Sequence, residues 1–73
     1  MNPYKLRVII EHVRRQGRLP ADQFGQTLGS DDLIVWFGLR AYLNPDEQRI
    51  VKRELEMLAE AEAVGDGLRK VEG

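Results

Sequence analysis

Leu33-Ile34-Val35-Trp36-Phe37-Gly38-Leu39 is a nearly unbroken apolar run in the middle of a 73-residue chain in which 32% of residues are charged. A domain of this size buries only about 60% of the surface that its unfolded chain exposes. So apolar a run must be either the core itself or a docking surface. The run is far short of the roughly 20 residues that cross a bilayer. The opening Met1-Asn2-Pro3-Tyr4-Lys5 lacks the apolar centre of a signal peptide. Cysteine is absent, which removes disulfides and thiolate metal sites and suits a reducing compartment. These features predict a complete, soluble, cytoplasmic polypeptide.

Outward from the run, Ser30 is placed to cap a helix over about 31–43, with Asp31 and Asp32 in its first turn, where the dipole favours them. That helix would be apolar on almost every side and so wrapped by the rest of the chain or shared with another copy. Two of Trp36, Phe37 and Tyr42 are expected to fill the core. Before it, Pro20 opens a predicted short helix over about 20–28, carrying Phe24 and Leu28 inward and closing at Gly29.

The ends of the domain are better signposted. Asn2 can cap a first helix with Pro3 at its first position, and Leu6, Ile9, Ile10 and Val13 form one apolar stripe up to a stop at Gly17. Asn44-Pro45-Asp46-Glu47 reads as a cap whose Glu47 reaches back to the cap amide. The helix it starts runs to about Val64, with Val51, Leu55, Leu58 and Glu62 on one line and Ile50, Met57 and Ala61 flanking. Packing should fade at Glu62, and Gly65-Asp66-Gly67 should end the helix. The expected architecture is all-α: one small domain at 1–64, about four helices packed around an apolar third helix, and a flexible C-terminal tail at 65–73.

Little in the sequence suggests catalysis. His12, the single histidine, lies on a charged helix face without a nucleophile to activate. Glu54, Glu56, Glu60 and Glu62 alternate with Arg49, Lys52 and Arg53, as on a solvated helix surface with pairs such as Lys52/Glu56. No histidine is in register with them to build a metal site. The glycines stand singly at helix ends rather than in a phosphate-binding loop. The chain reads as non-enzymatic, with no cofactor, no metal and no small-molecule substrate.

Gly25, Gly29 and Val35 have the spacing of a helix-turn-helix corner, with Phe24 and Leu28 at its inward positions. The would-be recognition helix starts Ser30-Asp31-Asp32, however, and two aspartates repel phosphates while reading no base. A net charge of −1 offers little counterion-release affinity. Protein recognition fits better. Residues 1–19 carry Lys5, Arg7, Arg14, Arg15 and Arg18 against Glu11 alone, while residues 44–64 are acidic in balance. Exposed aromatics and arginines are the usual anchors of interfaces. Lys5, Arg7, Arg14, Arg15, Arg18 and Trp36 are therefore the expected partner-binding residues.

The opening Met1-Asn2-Pro3-Tyr4-Lys5-Leu6-Arg7, the basic first helix, the cysteine-free length and the tail together resemble a small class of bacteriophage transcription regulators. These proteins bind the RNA polymerase of the host bacterium. The resemblance implies a non-catalytic mechanism: binding near the N-terminal part of the polymerase β′ subunit and the RNA exit region. It also implies inhibition of promoter initiation and read-through of intrinsic terminators. It aligns no contact residue. Contact between the basic helix and nascent RNA is a further expectation. The principal alternative is a dimeric adaptor or antirepressor paired through residues 33–43, and a degenerate helix-turn-helix DNA-binding protein ranks below it.

Overall fold

The computed structural model describes the backbone of residues 1–72 and the side chains of residues 1–64. Among these, three helices are present: α1 (Pro3–Arg15), α2 (Ser30–Trp36) and α3 (Pro45–Glu72). None is long and apolar enough to cross a membrane. Both α1 and α2 pack on α3, so the hub of the domain is its last helix and not the central apolar run.

The two cap signals form as expected. Asn2 Oδ1 accepts from Tyr4 N–H at 2.8 Å, with Pro3 at the first position of α1. At α3, Asn44 Oδ1 accepts from Glu47 N–H at 2.8 Å and Glu47 Oε1 accepts from Asn44 N–H at 3.1 Å. That is a reciprocal capping box. The stripes that these caps initiate supply the core: Ile9 and Val13 from α1, Val51 and Leu55 from α3, with Leu6 and Leu58 half-buried beside them.

Residues 20–28 do not form the expected helix. They make a tight loop in which Asp22 N–H donates to Gln26 O at 2.8 Å and Leu28 N–H to Pro20 O at 3.0 Å. Asp22 Oδ1 accepts from the amides of Phe24 and Gln26, and Gly25 takes a positive φ of 79°. A short acidic side chain that captures nearby amides gives the backbone an alternative to helix. Phe24, expected inward, is therefore 80% exposed at the tip of this loop. A helix-turn-helix is ruled out by the same feature, since its first helix is missing.

The apolar run is likewise divided. Instead of one helix over 31–43, α2 ends at Trp36, and Gly38 adopts a left-handed φ of 67°. Gly38 N–H then donates to Val35 O at 3.0 Å and Leu39 N–H to Ile34 O at 2.9 Å, the two bonds of a Schellman closure. One further turn follows, with Leu43 N–H donating to Leu39 O at 3.0 Å. The break resolves the problem of an all-apolar helix. Leu33, Ile34, Leu39 and Leu43 are buried, Phe37 is half-buried, and Val35, Trp36 and Tyr42 remain exposed. Only one of the three aromatics thus packs on the core, where two were expected. Ser30 is the first helical residue and not the cap, and its hydroxyl bonds Glu56 Oε1 at 3.0 Å.

The expected end of the last helix at Gly65-Asp66-Gly67 is not observed, since α3 continues to Glu72. A glycine inside a helix costs only about 1 kcal/mol, which favourable neighbours can absorb. The expectation of a flexible tail at 65–73 falls on side chains outside the described residues.

Two outcomes follow from this geometry. A methyl group at Gly38 would meet nothing within 4 Å, so Gly38→Ala should cost only the left-handed backbone penalty, about 1–2 kcal/mol, read from denaturant unfolding. The Glu47 carboxyl is held below its ordinary value of 4.5, first by the Asn44 amide and then by Lys5. A depressed folded value stabilises the fold above the unfolded value and loses that contribution as pH falls through the folded one. Wild-type stability should therefore decline below about pH 4.5, and Glu47→Gln should flatten that decline.

Candidate interaction surface

α1 brings the expected basic residues into three different settings. Lys5 is engaged within the chain. Its Nζ lies 3.1 Å from Glu47 Oε1 and 3.0 Å from Oε2, reaches the Tyr42 carbonyl at 3.4 Å, and sits 4.7 Å from the centroid of the Tyr42 ring. With 27% of its side chain exposed, it fastens the start of α1 to α3 and to the turn before it.

Arg7, Arg14 and Arg15 are exposed on α1. Arg7 and Arg14 are two turns apart on one line, and Glu11 lies one turn from Arg7, Arg14 and Arg15, which tempers the positive field of this face. Arg14 also edges an apolar hollow of about 240 Å³ that includes Leu19, Leu58 and Ala61. Arg18 follows the α1 stop, where Gly17 takes a φ of 87°. The next residue, Leu19, is buried, and its amide donates to Glu62 Oε1 at 3.0 Å. Glu62, expected to mark fading packing, instead anchors the segment that carries Arg18.

Arg18 borders an open groove of about 500 Å³ with His12, Gln16, Pro20, Trp36 and Phe37. The Phe37 ring meets His12 edge-on, with centroids 6.3 Å apart, which fixes one wall. Trp36 forms another and is 66% exposed. No lining residue is acidic. The groove presents a large indole, an arginine and two further hydrogen-bonding side chains, which is the chemistry of a protein or polyanion contact. It holds no nucleophile–base pair. Among the described residues, no group of three or more His, Asp or Glu side chains is placed to hold a metal ion.

Of the six expected residues, the structure brings Arg18 and Trp36 together, leaves Arg7, Arg14 and Arg15 exposed on α1, and ties Lys5 into the fold. Sequence reasoning missed Phe24 and Val35 as exposed apolar residues. The Asp22-to-Gly25 spacing, typical of a turn, could have indicated the first.

No protein family, curated protein or solved structure matches this chain.

Because Trp36 is largely exposed and Lys5 is clamped, their truncations should separate. Trp36→Ala should change the folding free energy by less than about 1 kcal/mol, whereas Lys5→Ala should lower the thermal midpoint measurably in circular dichroism at neutral pH.

Proposed function

We propose that this chain is a non-enzymatic transcription regulator that acts by occupying a host bacterial RNA polymerase. Its docking place would be the N-terminal part of the β′ subunit beside the RNA exit region, where it would hinder promoter initiation and favour terminator read-through. The reading starts from the resemblance of the sequence to phage regulators of this kind. The observation that supports it best is the groove pairing Trp36 with Arg18 at the end of a helix exposing Arg7, Arg14 and Arg15. A desolvated tryptophan gives affinity and exposed arginines give steering toward an acidic partner. An RNA exit region carries a polyanion, so the same arginines would lie where a transcript emerges.

The adaptor alternative, paired through residues 33–43, loses its main support with the closure of α2 at Gly38. In place of a continuous apolar helix face, it would have only Val35, Trp36 and, beyond the break, Tyr42.

Binding of the purified protein to host polymerase, followed by titration at moderate salt, tests the proposal. Arg14→Glu with Arg15→Glu should weaken binding at least about tenfold, or 1.4 kcal/mol, with far-UV circular dichroism unchanged. Trp36→Ala should weaken it comparably, mainly through faster dissociation. Unaltered affinity in both variants would overturn the assignment of this surface, and no binding by the wild type would overturn the function.

A further inference from the structure

α3 meets the rest of the chain along two sides, and its polar side chains there are consumed. Glu47 holds Lys5, and Glu62 holds the Leu19 amide. On the other side Glu56 holds Ser30, and Lys52 pairs with Asp31. A third side remains uncovered. Ile50, Glu54, Met57, Ala61 and Val64 recur on it at alternating spacings of four and three, the seam pattern of a coiled coil. Ile50 is 37% exposed, Met57 55% and Val64 60%. Beside the seam stand Arg53 and Glu60, two turns apart and both exposed. Among the described residues neither has an ion-pair or hydrogen-bond partner in the chain.

We infer that this face binds a second copy of the same chain, with the two α3 helices antiparallel about a two-fold axis level with residues 55 and 56. In that register Ile50 faces Ala61 of the second copy, and Glu54 faces its Met57. On the flank of the seam Arg53 lies about half a turn along from the level of Glu60 of the second copy, within reach of an ion pair between two long side chains, and symmetry repeats the pair at the other end of the seam. The charges select this arrangement. Sliding one helix past the other by a full heptad would place Glu60 against Glu60 of the second copy. A parallel pairing would bring Arg53 toward the other chain's Leu58, which already packs on its own core. The occupant is therefore self-complementary in both apolar pattern and charge.

The seam is short and includes one carboxylate, so the interface belongs at the small, weak end of the size range. The dimer forms in the micromolar range or above. Since α2 packs on the Lys52–Glu56 side, the Trp36 groove stays uncovered in it. The inference thus stands independently of the polymerase reading.

Sedimentation equilibrium from roughly 10 µM to 1 mM tests it. The wild-type mass should climb from 8.4 kDa toward twice that value, and Met57→Glu should stay monomeric throughout with its helicity retained. Arg53→Glu and Glu60→Arg should each weaken association at least about tenfold, because each makes both seam positions alike in charge. Mixed in equal amounts, the two variants should recover it as a heterodimer, while Glu54→Leu should tighten the wild-type dimer. A monomeric wild type at the highest concentration would overturn the inference. So would association indifferent to Met57→Glu, or a mixture of the charge variants that fails to recover.

Discussion

Everything in this domain leans on the inner line of α3, where Val51 and Leu55 leave no surface to solvent. Ile9 and Val13 from α1 and Leu33 and Ile34 from α2 join them in the core, and without that line neither shorter helix has a partner to bury its face against. With so few buried side chains, apolar burial alone gives limited margin. Polar clamps add registration. Lys5–Glu47 fixes the start of α1, Leu19–Glu62 fixes the segment after it, and Ser30–Glu56 with Asp31–Lys52 fixes α2. Gln48 bonds the carbonyls of Arg40 and Leu43 and so holds the linker. Each connection therefore has both an apolar and a polar tie to one helix.

Features governed by neighbours in sequence were legible before the structure. The Asn2-Pro3 and Asn44-Pro45-Asp46-Glu47 starts depend on side chains reaching amides two or three residues away, and they form as read. The 3.6-residue stripes of α1 and α3 were also correct because period and burial coincide there. The two middle elements failed for a common reason: within each stretch, helix competed with another local closure. Asp22 captures two amides and Gly25 accepts a positive φ, which together outbid a helix opened by Pro20. In the apolar run, hydrophobicity extends past Gly38 without interruption, so its pattern conceals the glycine's stop. Only packing decides that Leu39 and Leu43 should turn back to the core.

For the candidate interaction surface the sequence shows residue types but not their availability. Lys5 and Arg14 look equivalent in the sequence, one helix and one charge sign. The difference lies in Glu47, 42 positions away, which claims Lys5 and leaves Arg14 on the surface. In the same way the acidic balance of residues 44–64 suggested a solvated face. Glu47, Glu56 and Glu62 instead serve as internal acceptors, and only the charges facing away from both α1 and α2 stay uncommitted. Long-range pairing of this sort leaves no periodic trace, so a single sequence cannot separate structural charges from free ones.

Trp36 owes its exposure to the brevity of α2. A helix of 7 residues offers one inward face, and Ser30, Leu33, Ile34 and the following Phe37 already occupy it. Residues between those positions must point outward, whatever their hydrophobicity. Had the helix continued to residue 43, rotation about its axis could have hidden Trp36 at the expense of Leu33 or Ile34. The left-handed turn at Gly38 removes that freedom by bonding Leu39 back to Ile34. Isolated exposed apolar residues are ordinary on protein surfaces. An exposed indole beside an arginine, on a helix whose inner face is already filled, is a different case: burying it within the chain would break the closure that Leu39 and Leu43 need to reach the core. A partner can cover Trp36 without that loss, and the free energy of doing so would add to the stability of a small fold.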